Sequence, residues 1–471
     1  MKIYLINAAS ASDPLGHKEP FMPLAFPILA ACAPAHTYVI KDLLNTDINT
    51  IDFKTPYDLV GISFRVSATE TAFKLADAFK KLNRTVVLGG PQASAIPLKA
   101  KSHANAVVIG EAEELWPQLL EDYENNKLKD FYIASPAKKY KFTDYEVFFQ
   151  QKPIDLSAVP TPMRHLIKKK YTFDVTYAAR GCPVGCSFCA VPSLFGSKMR
   201  YRKISDVVHE VKYFKKRYSL LDDNIFGRND SYEYYRDLYT GLLKLKKKRY
   251  WTGQANLNAA AHPLGQQVIA LAAQTGLTYA AIGFETLNKD DIKTLAITPK
   301  MGLKNKNNHL KEISDNIRYI QDQGVAISAW FTIGLKNDTE NSVKESIKYC
   351  LHHHIFPVIT PIQALEGTPL YDTLKRNGKM RSSENHVSNV NLSSLRDADY
   401  IKLMKLSLED GYNTKRIIKN TLFFFRKNLA LRKGFSNAIY KSIFVYITQK
   451  KLKKIIKHEI QRFKLRINES I

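Results

Sequence analysis

Three cysteines fall within eight residues, in the run Arg180-Gly181-Cys182-Pro183-Val184-Gly185-Cys186-Ser187-Phe188-Cys189. The spacing CxxxCxxC puts three thiolates on one tight loop. Such a set can hold three irons of a [4Fe-4S] cubane, and no fourth cysteine is near enough in sequence to complete the usual four, so one iron stays open to a substrate or cofactor. Gly181 and Gly185 free the backbone to wrap a cluster, and Pro183 stiffens it. Structural zinc is the competing reading, because three cysteines and a histidine close a tetrahedral site. The nearest histidines, His165 and His209, have no finger-like spacing to the cysteines, and paired CxxC knuckles are missing. Cys32 and Cys350 stand alone, so no disulfide framework is implied.

A loop of this kind needs a frame to hold it. From 169 to 385 the sequence alternates strand and helix patterns, with strand candidates at 172–178, 220–222, 250–254, 278–283, 325–331 and 356–360. Six such units imply a partial (β/α)6 barrel, whose chemistry gathers at the carboxyl ends of the strands. The cysteine loop follows the first of them. Residues 1–135 carry the same rhythm, with strands at 2–6, 37–40, 59–63, 85–88 and 106–109 and helical patterns at 68–82 and 112–124. That predicts an open, Rossmann-like (flavodoxin-like) parallel sheet with helices on both faces. Gly61, Gly89, Gly90 and Gly110 read as strand-end positions where a ligand can approach the backbone, although tight turns explain them equally well. Residues 136–168, broken by Pro136, Pro153, Pro160 and Pro162, read as a linker, and 386–471 as helices only.

The 471 residues are 45% hydrophobic, enough for more than one folded domain. Of the net charge of +26, the segment 411–471 carries +14. A basic tail attracts nucleic acid, anionic lipid or acidic protein, and no recognised nucleic-acid fold accompanies it. On its last helix Leu452, Ile455, Ile456, Ile460, Phe463 and Ile467 share one face, and lysines and arginines mostly fill the other. That pattern, with Phe423, Phe424, Phe425 and Phe444, suits peripheral contact with the inner membrane face and hence a lipid or isoprenoid substrate; a helix packed on the body with a solvated basic face is the alternative. There is no signal-peptide pattern and no apolar run of membrane-spanning length, which places the chain in the cytoplasm. His352, His353 and His354 read as surface residues at the end of a barrel helix.

The CxxxCxxC loop after the first barrel strand, with Phe188 immediately before the last cysteine, resembles the radical S-adenosylmethionine (SAM) superfamily. The resemblance implies that SAM chelates the open iron and is cleaved to a 5'-deoxyadenosyl radical, with Phe188 lining the adenine pocket. It further implies Asp222, in Leu221-Asp222-Asp223-Asn224, for the SAM amino group, with Asp223 equally suited to capping the next helix. Glu285, in Gly283-Phe284-Glu285, matches the position for the ribose hydroxyls or nearby SAM atoms. Gln254 and Ser328 are expected to face the cavity.

Within that superfamily the chain is similar to members with an N-terminal cobalamin-binding domain, on the segments Leu88-Gly89-Gly90-Pro91-Gln92, Gly110-Glu111-Ala112-Glu113-Glu114 and Glu366-Gly367-Thr368-Pro369-Leu370. The branch containing the hopanoid methylases matches best. It implies a cobalamin-dependent methyltransferase acting on an unactivated carbon, with glycines 61, 89, 90 and 110 at the cobalamin and a flavodoxin or ferredoxin as electron donor. The Asp-x-His-x-x-Gly element that gives cobalt a histidine is absent, and Asp13-Pro14-Leu15-Gly16-His17 has the wrong order. A radical rearrangement, cyclisation or oxidation without cobalamin transfer is the second reading. A non-catalytic cobalamin or metal sensor is the third.

Overall fold

The computed structural model describes residues 1–10, 21–135, 142–304, 308–382, 388–431 and 434–468. Two compact units emerge, Met1–Pro183 with Ala190–Asp206, and Val184–Cys189 with Val207–Ile471.

The first unit is built on seven parallel strands, β1 (Lys2–Asn7), β2 (Thr37–Asp42), β3 (Leu59–Ser63), β4 (Thr85–Gly89), β5 (Ala106–Ile109), β6 (Phe131–Ile133) and β7 (Val147–Phe149). They lie in the order β2-β1-β3-β4-β5-β6-β7. The five strands expected of residues 1–135 all form. Their near-continuous apolar runs have a physical cause, because both faces of the sheet are buried. Tyr4, Ile6, Val60, Ile62, Val86 and Leu88 pack on one side, and Ile3, Leu5, Leu59, Val87 and Val108 on the other. The stretch read as a linker also contributes β7, which extends the sheet beyond residue 135. Three further short strands complete this unit: β8 (Asp174–Thr176), and the antiparallel pair β9 (Ala179–Arg180) and β10 (Arg200–Tyr201).

Gly61 corrects the sequence reading. It sits in the middle of β3, where an added Cβ would stand 2.7 Å from Leu5 Cδ2 and 3.6 Å from Trp116. Its missing side chain makes room for core packing and not for a ligand. Gly90 and Gly110 do lie past strand ends, at φ +89° and +86°. Residues 13–17 and Pro136 lie outside the described residues.

The second unit holds β11 (Arg217–Leu220), β12 (Tyr250–Ala255), β13 (Leu277–Glu285), β14 (Ala326–Ile333) and β15 (Phe356–Pro361), parallel and ordered β15-β14-β13-β12-β11. With β8, all six strands expected of the barrel series form. Three helices follow, Asp397–Tyr412, Thr414–Ala430 and Phe435–Asn468. The apolar face proposed for membrane contact is turned inward. Leu452, Ile456, Ile460 and Phe463 are buried, as are Phe424 and Phe444, because the last helix packs along the two before it. The side chain of Ile467 lies outside the described residues. His353 and His354 are half-buried, against Tyr349 and Phe423 respectively, so only His352 is a surface residue.

Overpacking a full core typically costs about 1–3 kcal/mol. Gly61→Val is therefore expected to lower the denaturant-unfolding stability of the chain by roughly that amount. Gly185→Ala, at a position with nothing within 4 Å of an added Cβ, serves as a control for positive-φ strain alone (φ +75°).

Candidate active site

The cysteine loop is shaped by backbone constraints at both ends. Gly181 has φ +93°, and an added Cβ would lie 2.3 Å from the Lys198 carbonyl oxygen, so only glycine fits. Cys182 N–H donates to Gly196 O at 3.4 Å, and Cys189 N–H to Cys186 O at 3.1 Å, closing a turn between the last two cysteines. Between them Ser187 is held on two sides, its N–H donating to Leu295 O (3.2 Å) and its carbonyl accepting from Leu370 N–H (2.9 Å). This gives the Glu366-Gly367-Thr368-Pro369-Leu370 segment a task. Thr368 caps the helix Pro369–Arg376, and that helix start grips the loop.

Cys186 is buried, Cys182 and Cys189 are half-buried, and none of the five cysteines is in a disulfide. Among the described residues no three His, Cys, Asp or Glu side chains converge as the ligands of a single ion do. A cubane makes no such demand, because each thiolate binds a different iron. The donor set and the wrapped loop fit that group. His209 is exposed, on the helix Ile204–Tyr213 against Tyr213, their rings 5.0 Å apart. The two isolated cysteines are poor thiolates: burial pushes the Cys32 thiol up to about 12 and Cys350 higher still.

At the carboxyl end of β13 the chain makes an unusual turn. The β13–β14 register shifts between Gly283 and Glu285, and Glu285 adopts φ +60°, a conformation few non-glycine residues take. Its carboxylate then folds back to accept from Lys300 Nζ at 2.6 Å and Thr332 Oγ1 at 2.7 Å. An added Cβ on Gly283 would lie 2.5 Å from Glu285 Oε1 and 2.7 Å from Lys300 Nζ, so the ion pair occupies the space a side chain would fill. Lys300 is buried and its Nζ stands 5.9 Å from the centroid of the Phe188 ring. The structure thus brings together Phe188 and Glu285, both expected, with Lys300 and Thr332, which sequence reasoning missed. Thr332 shares the barrel-facing side of β14 with Ser328 and Trp330, a period-two signal that was available. Lys300 sits in a four-residue helix, Thr298–Met301, with no periodicity to reveal it.

The remaining expected residues separate. Gln254 is exposed in a strand that is otherwise buried. Ser328 shares its row across the sheet, through Ala281, but is fully buried. Its hydroxyl accepts from Trp330 Nε1 at 2.9 Å and from Tyr279 Oη, which makes it part of the barrel packing and closes it to a ligand. Asp222 is likewise buried, 1% exposed, and accepts from Tyr235 Oη at 2.8 Å. It faces the helix Tyr232–Leu243, and burial together with Asp222 keeps the Tyr235 hydroxyl protonated far above its ordinary range. The half-buried neighbour Asp223 remains more open, and the next helix is flanked by Ser231 instead.

In the first unit, the strand ends carry a second constellation. Ser94 Oγ donates to Gly90 O and accepts from Gly110 N–H, each at 2.9 Å, tying the ends of β4 and β5 together. An added Cβ on Gly90 would meet Ser63 Oγ at 2.3 Å, while one on Gly89 would make ordinary contact with Val108. Just past β3, Val66 stands 54% exposed, leaving an apolar surface at the edge where such sheets bind ligands. Glu111 and Glu113, in the Gly-Glu-x-Glu segment, are buried around Arg180. The distances are 2.8 Å from Arg180 Nη1 to Glu111, 2.6 Å from Nη2 to Glu113, and 2.6 Å from Arg200 to Glu111. Arg180 also lies over the Tyr177 ring, 4.5 Å from its centroid. Arg180 precedes Gly181-Cys182, so the strand end of the α/β sheet grips the root of the cysteine loop. Burial acts to raise the Glu113 pKa, but the Arg180 guanidinium outweighs it and holds the carboxyl below its usual range.

The sequence pattern of the radical SAM superfamily matches residues 176–350, a stretch that contains the cysteine loop and the Glu285 turn. Residues 176–350 are a radical SAM domain. Bacteriochlorophyllide d C-12(1)-methyltransferase of Chlorobaculum tepidum is 30% identical over 68% of this radical SAM chain and 66% of its own length, just under two thirds. The C-8(2)-methyltransferase of the same organism is 25% identical over 89% of this chain and 92% of its own. A hopanoid C-2 methylase from Rhodopseudomonas palustris is 23% identical over 71% and 60%. Among solved structures, the cobalamin-dependent SAM radical enzyme OxsB, with aqua-cobalamin and SAM bound, superposes with a TM-score of 0.67 over 99% of this chain and 79% of its own, at 13% identity. At that identity the likeness is one of fold.

The depressed Glu113 carboxyl sets a pH dependence. A lowered folded-state pKa contributes stability that is fully present above the unfolded value, near 4.5, and is lost as pH falls through the folded one. Urea unfolding from pH 7 down to pH 3 is expected to show a steeper loss in the natural chain than in Glu113→Gln.

Proposed function

We propose that this radical SAM protein is a cobalamin-dependent methyltransferase acting on an unactivated carbon of a large apolar ring system, either a polycyclic lipid or a tetrapyrrole. The observation that carries the reading is the Arg180 clamp. It ties a strand end of a cobalamin-type α/β sheet to Arg180, two residues before the first cluster cysteine, as suits an enzyme using two cofactors on one substrate. Relatives that are methyltransferases of bacteriochlorophyllide d and a hopanoid methylase support the same reading.

When bound, the cluster and cobalamin supply reductive cleavage of SAM and a transferable methyl group. Cys182, Cys186 and Cys189 would hold the cluster, and Gly89 and Gly110 would let cobalamin approach the ends of β4 and β5, while Gly90 makes room for Ser63. Phe188 offers a ring face to adenine, and Gln254 and Asp223 offer polar groups to the ligand. Glu285 and Lys300 present opposite charges to the carboxylate and ammonium of SAM, and Thr332 fixes the Glu285 rotamer. A flavodoxin or ferredoxin would donate the electron. No helix among the described residues is long and apolar enough to cross a membrane, and association with a bilayer would be peripheral.

Hydrogen bonds to charged groups contribute about 1.5–3 kcal/mol, or roughly 10- to 100-fold in affinity. Lys300→Met is accordingly expected to weaken SAM binding by about that factor, read by equilibrium dialysis, with the iron content unchanged. In the deciding experiment the chain is purified without oxygen, reconstituted, and assayed for iron, cobalt and 5'-deoxyadenosine with SAM and reductant. Four irons, bound cobalamin and deoxyadenosine are expected, with the iron and the deoxyadenosine lost in the Cys182, Cys186 and Cys189 triple alanine variant. Deoxyadenosine without any affinity for added cobalamin would remove methyl transfer and leave a rearrangement, cyclisation or oxidation.

A further inference from the structure

With the expected membrane face of the last helix buried, a different apolar surface stands in the open. On the helix Thr414–Ala430, Ile418, Leu422 and Leu429 are exposed at i, i+4 and i+11; on Phe435–Asn468, Phe435, Ile439 and Ile443 repeat every four residues. Phe425 and Phe435 meet edge to face, 5.9 Å between centroids, so the two stripes join across the helix pair into one patch. Eight of the 21 large apolar side chains exposed among the described residues lie on these two helices, although they are a small part of the chain. A contiguous apolar patch of this kind marks an interaction site.

Its surroundings select the partner. Lys415, Lys419 and Arg426 are exposed along the first helix, which contains no acid, and Lys450, Lys454 and Lys457 continue the line of the second. The second helix has one acid within the described residues, Glu459, already paired with Arg462 at 2.6 Å. Apolar side chains for the acyl boundary, with lysines beside them for headgroups, are the chemistry of a helix pair lying in an anionic bilayer interface. We infer that the exposed face of the helices Thr414–Ala430 and Phe435–Asn468 docks the protein on an anionic membrane surface.

The position of this face fixes what docking can do. Lys441 is fully buried and donates to Leu277 O at 3.0 Å, at the start of β13. Tyr440 stacks on Tyr250 at the start of β12, Asn428 donates to Gly324 O just ahead of β14, and Phe423 stacks on His354 just ahead of β15. The helix pair therefore closes the amino-terminal end of the barrel. Glu285, Lys300 and Phe188 lie at the other end, separated by the nine-residue length of β13, or roughly 26 Å at about 3.3 Å per step. Docking tethers the enzyme with its mouth turned away from that bilayer, so it serves as an address and not as a route for lifting a lipid into the site. The inference stands independently of the methyltransferase reading.

Sedimentation of the full chain with vesicles tests it, comparing phosphatidylcholine alone with phosphatidylcholine containing about one third phosphatidylglycerol. The chain is expected to bind the anionic vesicles about tenfold or more tightly, with the difference shrinking at high salt. The Leu422→Glu/Ile443→Glu double variant, at exposed positions, is expected to lose about tenfold of that binding while unfolding temperature and deoxyadenosine formation stay unchanged. Three results would overturn the inference: no sedimentation with either vesicle, undiminished binding of the double variant, or a dimer in light scattering that the double variant converts to monomer.

Discussion

The half-buried Arg180 guanidinium, set between two buried glutamates, constrains more of this molecule than any other single group. A buried charge is tolerable only when its partners satisfy it, and removing one partner from such a set typically costs about 3–5 kcal/mol. Here the partners are Glu111 and Glu113, whose own burial would be costly without Arg180 and Arg200. None of the four can move alone. Because Glu111 follows Gly110, whose N–H is fixed by Ser94, and Arg180 leads into Gly181 and Cys182, a change at the ends of β4 and β5 is felt at the root of the cysteine loop. The other arm of the loop is held by backbone, through Ser187 to Leu295 and Leu370. Neutral backbone bonds fix that arm, while charge fixes the root.

The Glu285 turn follows a similar logic on a smaller scale. A left-handed glutamate stores strain that persists only where its surroundings over-determine it. Lys300 and Thr332 hold both carboxylate oxygens, and Gly283 leaves the space for them. The Gly-Phe-Glu triplet is thus a single device: glycine clears the volume, Phe284 anchors the strand in the core, and glutamate turns back over the gap.

Much of this was legible in the sequence, and the limits have physical causes. The strands appear within a few residues of the expected positions because parallel strands buried on both faces must be continuously apolar, a signal that tertiary contacts cannot erase. The cysteine loop was legible because thiolate chemistry tolerates few spacings. Motif position failed where a residue's orientation decides its role. Asp222 ends its strand as expected, yet its carboxylate turns to Tyr235. Ser328 faces the barrel, yet Tyr279 and Trp330 take its hydroxyl. Gly61 looked like a strand end, but packing against Leu5 and Trp116 required it. Lys300 could not have been found, since its partner is fifteen residues away across a turn whose geometry depends on Gly283. The amphipathic period of the last helix left two neighbours open, a membrane or the protein body, and the body is the one it meets: periodicity says that a face is buried, but not against what.

The Glu285–Lys300 pair also bears on how a charged ligand could enter a site without an electrostatic penalty. Two opposite charges 2.6 Å apart cancel at a distance, so the pocket wall is neither strongly attractive nor repulsive to a net charge. A zwitterion meets it differently. Its carboxylate can take a hydrogen bond from Lys300 while its ammonium gives one to Glu285, so that bonds are exchanged and no buried group is left unsatisfied. A ligand carrying only one of the two charges would satisfy one partner and strand the other, at the cost that buried unpaired ions carry. A preformed pair of this kind discriminates by charge arrangement, where a lone lysine or glutamate would discriminate only by charge sign.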